Sequence, residues 1–418
     1  MTVLRPSATL AMNERCAALV KAGHEVYRLG FGQSPFPVPP SVVAALQANA
    51  HQKDYLPVRG LGGLREAVAA FHRRRHGLPV DADDVLIGPG SKELIFLAQM
   101  IYQGELLVPA PSWVSYEPQA RLARQRVTWL PTDGADGWRL RADTLALACA
   151  EHAGHAGRRV LILNSPNNPT GLSLGDDALA ALAAVARDHH ILVVSDEIYG
   201  DLHHVGAHVS MARHYPEGTL VTAGLSKWCG AGGWRLGTMV VPPQLRWLGD
   251  AMAAAASETF STVAAPVQHA AVTAFTGNAE IERFVSQSRR ILRALGRWTA
   301  HALRDAGIAV DLPQGAFYLF PDFTPHAEGL RARGIDGSDA LCERLLADTG
   351  VALLSGSAFG CAPEQLTARL AYVDFGGAEA LQAVGRVPEA EELDTPWLRA
   401  HCGRVLAAGE AIVDWLRT

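Results

Sequence analysis

Between Asp81 and Val241 the chain alternates short apolar runs with longer amphipathic stretches. The runs VLIG (85–88), LLVP (106–109), RVLILN (159–164), ILVVS (191–195), TLVTAG (219–224) and TMVV (238–241) are of strand length and bounded by turn residues. They are largely continuous rather than alternating, which is the pattern of strands covered on both faces. Helix-length stretches such as 176–189 lie between several of them. The pattern predicts an α/β fold with a mostly parallel central sheet and helices on both faces. Beyond residue 262 it changes to long helical patterns reaching about 305, then strand-like GAFYLF (315–320), VALLS (351–355) and RLAYV (369–373). That predicts a smaller α+β domain. The expected division is 1–45 as an N-terminal segment packing with the small domain, 46–295 as the large domain, and 296–418 as the small C-terminal domain.

Composition narrows the class. With 418 residues the chain exceeds one small core, in keeping with two domains. Its 49% apolar and 19% charged residues suit a packed globular protein rather than a disordered one. No apolar run approaches the roughly 18–20 residues that cross a bilayer, and the opening MTVLRPSATL has no apolar signal-peptide region. Six cysteines are scattered without a C-x-x-C pair, which favours free thiols and a cytoplasmic setting, and argues against structural zinc. A net charge of −5 offers no basic footprint for nucleic acid. The sixteen histidines include no H-E-x-x-H. Of 37 basic residues only Lys21, Lys53, Lys92 and Lys227 are lysines, leaving 33 arginines. Where arginine fills the basic positions, a retained lysine points to a need for an amine that can lose its charge.

Three stretches carry polar groups at the ends of apolar runs. Lys227 follows one in AGLSKWCGAGGWRLG, where glycines allow a sharply bent backbone close to a ligand. A neutral lysine amine there could form an imine with an aldehyde, and Arg235 could grip a phosphate. Asn168 lies in NSPNNPTG, which read alone is ordinary turn chemistry. Asp196 and Glu197 end ILVVSDEIY, where an acid read alone is a helix cap. All three fall at carboxyl ends of strands, the edge at which open α/β sheets bind ligands. Their convergence is the functional signal.

In this order, NSPNNPTG, VVSDEIY and Ser226-Lys227 with Arg235 eight residues on, the chain resembles the fold-type I pyridoxal-phosphate (PLP) aminotransferases of class I/II. The resemblance runs from about Arg5 to Arg369 and is nearest the bacterial aspartate aminotransferase subgroup. It implies the PLP-dependent transferase fold type I, a pyridoxal 5′-phosphate cofactor, and Lys227 as Schiff-base lysine and proton shuttle. Asp196 would pair with the pyridinium nitrogen, Asn168 and Tyr199 would bond the ring oxygen, and Trp113 would stack on the ring. The phosphate would sit on Gly90-Ser91-Lys92 at the start of the apolar helix ELIFLAQMIY, with Arg235 completing the site. Tyr55 matches a tyrosine that reaches the neighbouring subunit's phosphate, which implies a homodimer with active sites at the interface. One departure stands out: Gly224 occupies the place of a frequent phosphate-binding hydroxyl, so that either Ser226 substitutes in part or the phosphate has one donor fewer.

The same resemblance gives Arg369, helped by Asn168 and the backbone of Gly32, the substrate α-carboxylate. Lys92, Ser7 and Thr9 match groups near a distal carboxylate, so aspartate and 2-oxoglutarate are the expected small-molecule substrates. Aromatic, methionine-like or biosynthetic amino donors stay open. So do a PLP lyase, synthase or decarboxylase of the same fold, and a non-catalytic small-molecule-binding regulator.

Overall fold

The computed structural model of the chain describes residues 7–151 and 157–417. Arg5 and the rest of the first six residues of the N-terminal segment lie outside them. The strands in chain order are β1 (Tyr27–Arg28), β2 (Val85–Gly88), β3 (Glu105–Ala110), β4 (Val127–Pro131), β5 (Arg159–Asn164), β6 (Leu192–Asp196), β7 (Thr219–Gly224), β8 (Gly237–Val240), β9 (Tyr318–Leu319), β10 (Val351–Ala352), β11 (Leu354–Ser355) and β12 (Ala368–Ala371).

Seven of them form the central sheet in the order β2-β8-β7-β6-β5-β3-β4. All run parallel except β8, which is antiparallel to both of its neighbours. Strands β2 and β6 are buried along their whole length, which is why β2 and the first three residues of β6, Leu192, Val193 and Val194, read as unbroken apolar runs. Successive residues feed opposite faces. Leu106, Val160 and Val194 pack into the core on one side, and Leu107, Leu161 and Val193 into that on the other. Each leucine so buried contributes about 2 kcal/mol. The helix Asp176–Asp188 covers its face through Leu179, Leu182, Ala183 and Ala186, one stripe at helical spacing.

The apolar pattern did not reveal β4. This edge strand buries only Leu130 fully and leaves Trp129 37% exposed, so it lacks a continuous run. In the C-terminal part the expected strands are shorter than their apolar runs. GAFYLF contracts to Tyr318–Leu319 after Ala316 turns with a positive φ of 56°. VALLS is split at Leu353 into β10 and β11. Strands β11, β12 and β9 form an antiparallel sheet, and β1 pairs in parallel with β10, Tyr27 opposite Val351. The helix Ala279–Asp305 starts at Asn278, whose side chain accepts from the Ile281 N–H. It runs unbroken through position 295, where the sequence placed a domain boundary. A closing helix, Thr395–Arg417, packs along it. The six cysteines are buried free thiols. Among the described residues, no helix is long and apolar enough to cross a membrane.

Candidate active site

Strands β5 and β6 end side by side, Asn164 opposite Asp196, and β7 delivers the turn that carries Lys227. Their carboxyl ends open into a cavity of about 560 Å³. Every expected site residue except Gly90 and Tyr55 lines it: Ser7, Thr9, Gly32, Ser91, Lys92, Trp113, Asn168, Asp196, Tyr199, Ser226, Lys227, Arg235 and Arg369. Gly90 lies directly behind Ser91. Tyr55 is 91% exposed and stands outside the cavity.

Lys227 Nζ donates to the carbonyl of Gly32 at 2.7 Å and lies 5.5 Å from the Tyr199 ring. Burial, then the Arg369 cation, pulls its pKa down to about 7, against an opposing pull from Asp196. Such an amine is largely neutral in the physiological range. Gly32 cannot carry a side chain, since a Cβ there would sit 2.0 Å from the Tyr318 hydroxyl.

Asp196 accepts a hydrogen bond from the Tyr116 hydroxyl at 2.6 Å and one from the Ile198 N–H at 3.2 Å. Burial raises its carboxyl to about 6, and it enters no salt bridge among the described residues. Beside it, Asn164 donates to the Asp196 carbonyl at 2.8 Å and accepts the Asn168 N–H at 2.7 Å. The Asn168 side-chain oxygen in turn accepts from Arg369 Nη1 at 3.0 Å, and Arg369 Nη2 donates to the Gly30 carbonyl at 2.6 Å. Arg369 is buried against the rings of Tyr318 and Phe359, and its Nε has no hydrogen-bond partner among the described residues. Tyr199 shares a 2.7 Å hydrogen bond with Tyr318. The cavity wall is a connected polar network with donor capacity left over.

At the start of the helix Ser91–Ile101, Gly90 takes φ +93° and no side chain caps the free N–H groups. Arg235 leans over this end, donating to the carbonyls of Pro89 and Gly232 at 3.2 and 2.9 Å. A Cβ on Gly90 would lie 2.2 Å from Arg235 Nη2, and one on Gly237 would lie 2.2 Å from the Ser91 nitrogen. These glycines keep the anion-binding end of the helix open. The departure at Gly224 has a steric cause. It pairs with Gly237, and a Cβ there would come within 2.7 Å of the Leu236 carbonyl. Lys92 Nζ sits 5.0 Å above the Trp113 ring, and burial together with Arg235 lowers its pKa.

An open helix N-terminus with an arginine, a buried acid lacking an ion pair, and an amine near neutrality fit PLP, a phosphorylated pyridine aldehyde. Residues 24–374 match the family model for aminotransferase class I and II. The chain belongs to this aminotransferase family. The aspartate aminotransferase of Geobacillus stearothermophilus is 34% identical over 93% of this chain and 97% of its own length. The aspartate/prephenate aminotransferase of Thermus thermophilus is 33% identical over 85% of this chain and 89% of its own length. Among solved structures, aspartate aminotransferase from Thermus thermophilus with maleate aligns with a TM-score of 0.83 at 29% identity. That match covers 98% of this chain and 97% of the other. The protein is thus a PLP-dependent transaminase of fold type I. Of the readings left open by the sequence, transamination is the one these relatives support.

Three residues of the transaminase site escaped the sequence reading. Asn164 is the last residue of β5, and its register with Asp196 was the available signal. Tyr116, which binds Asp196, opens a seven-residue helix, and Tyr318 sits in a two-residue strand far along the chain. Nothing in their local sequence marks them as anything but core aromatics.

Proposed function

We propose that this transaminase exchanges the amino group of L-aspartate with 2-oxoglutarate, working in the cytoplasm as a homodimer. The observation that carries the substrate is the spread of cations in one cavity. Arg369, buried with an Nε that has no partner among the described residues, comes from β12, whereas Lys92 and the Thr9 hydroxyl come from other elements. Thr9 Oγ1 is itself buried without a hydrogen-bond partner among the described residues. Two cationic groups and an idle hydroxyl suit a substrate with two carboxylates. The Thermus thermophilus structure, solved with the dicarboxylate maleate, supports the same reading.

Bound PLP supplies an electron sink for the charge left at the substrate Cα. Lys227 Nζ would hold the cofactor and, once released from it as a neutral amine, would take the Cα proton. Asp196 keeps a negative charge facing the ring nitrogen, and Tyr116 holds that carboxylate in place. Asn168 and Tyr199 would bond the ring oxygen, Trp113 would cover the ring, and Ser91, Ser226 and Arg235 would hold the phosphate at the helix end opened by Gly90. Arg369, Asn168 and Gly32 take the α-carboxylate, and Lys92, Ser7 and Thr9 the distal one. Tyr55, exposed in the single chain, serves the partner's phosphate. The packing of segment 1–45 with 296–418 is supported by the β1–β10 pairing, whereas the boundary between 46–295 and 296–418 falls inside the continuous helix Ala279–Asp305.

The test is incubation of the PLP-loaded enzyme with L-aspartate and 2-oxoglutarate while glutamate is measured. Turnover at least tenfold above that with neutral donors is expected. Preference for neutral or aromatic donors would overturn the aspartate assignment, and silence across a broad donor panel would overturn the enzyme's working as a transaminase. The double name of the Thermus thermophilus relative favours prephenate as a second acceptor, read as oxaloacetate formed from L-aspartate when prephenate replaces 2-oxoglutarate.

A further inference from the structure

A buried polar cluster lies behind the strand end that carries Asp196, and none of the chemistry above uses it. Asp196 lines the cavity and Glu197 does not, as successive residues of an extended segment face opposite ways. Glu197 is only 5% exposed. Its Oε1 accepts from Ser195 Oγ at 2.8 Å and Ser210 Oγ at 2.6 Å, and its Oε2 meets His208 Nε2 at 2.8 Å. One carboxylate therefore joins β6 to the 208–210 segment. That segment also grips the turn after Tyr199, since a Cβ on Gly200 would lie 2.9 Å from the His208 ring.

The cost of this arrangement calls for a purpose. Two acids in succession are both buried, and an apolar residue at position 197 would pack with no charge to bury. Burial alone would raise the Glu197 carboxyl, but His208 and the hydrogen bonds from His208 and Ser210 hold it at about 2. Its charge is among the influences that raise Asp196. The other groups facing the pair are His72, Arg75 and His76 of the helix Gly62–His76, with Asp201 and His203 beyond the turn. His76 lies 5.5 Å from His208, ring to ring.

We propose that Glu197 and His208 are positioning residues for transamination. The pair ties the Asp196–Tyr199 segment down from behind, and His208, held 2.8 Å from the Glu197 carboxylate, offsets the charge that Asp196 otherwise feels. This rests on the reading that Asp196 faces the cofactor ring.

The experiment compares the pH dependence of kcat/KM in PLP-loaded Glu197→Gln, His208→Gln and the double variant. His208→Gln takes away the imidazole whose attraction lowers the Glu197 carboxyl, leaving that carboxylate to act on Asp196. Its acid limb is expected to move up by about one pH unit, on the order of a tenfold loss at a pH on that limb. Glu197→Gln removes the charge, and its acid limb is expected to move down. The double variant returns toward the parent. Ser210→Ala, which removes a hydrogen bond and no charge, is expected to lower Tm and leave the limb in place. Unmoved limbs, or limbs moving the same way in both single variants, would overturn the proposal and leave the cluster a structural one. Glu197→Gln is isosteric, so its direction decides the matter even if His208→Gln does not fold. Full turnover in Asp196→Asn would instead overturn the Asp196 reading itself.

Discussion

At the scale of single residues, the site depends on one amine being kept from its usual charge. A lysine in water has a pKa of about 10.4 and is roughly a tenth of a per cent neutral at pH 7.5. Burial and the Arg369 cation bring Lys227 to about 7, which makes most of it neutral at the same pH. The neutral form is the nucleophile, so PLP capture by the cofactor-free protein should accelerate as pH rises through about 7 and level off above 8. Stopped-flow absorbance reads this directly. Acceleration that continues toward pH 10 would mean that Lys227 keeps an ordinary amine.

At the scale of elements, the helix Ser91–Ile101 contributes its N-terminus, and glycines decide whether that end is accessible. Gly90 combines φ +93° with contact to Arg235, so Gly90→Ala strains the backbone and displaces the guanidinium together. PLP affinity is expected to fall at least about tenfold, about 1.4 kcal/mol. Gly62→Ala is the control: it starts another helix, and a Cβ there meets nothing within 4 Å. Fluorescence titration with PLP compares the two, and an unchanged Kd in Gly90→Ala would remove the phosphate from this helix end.

At the scale of the whole molecule, Tyr55 is a large side chain that is 91% exposed and does not line the cavity. If it serves the partner's phosphate, a mixed dimer of Lys227→Ala and Tyr55→Phe chains contains one fully native site. Half of its sites should then bind PLP with parental affinity and turn over. If Tyr55 acts within its own chain, no site in the mixed dimer is native, and both affinity and turnover stay at the level of the defective parents.

The sequence by itself determined the sheet and the chemistry at its edge. Strands buried on both faces are largely apolar, so β2, β3, β5, β6, β7 and β8 were legible, as were Lys227, Asp196 and Asn168 at or beyond strand ends. Only the tertiary structure decided the reversal of β8 and the presence of β4, because strand direction and one-sided edge burial leave no continuous apolar signature. It also decided that Tyr116 meets Asp196, that Tyr318 meets Tyr199, and that Glu197 turns away to His208. Those contacts join residues up to 119 positions apart. They arise from the order in which strands and domains pack, which local pattern does not encode.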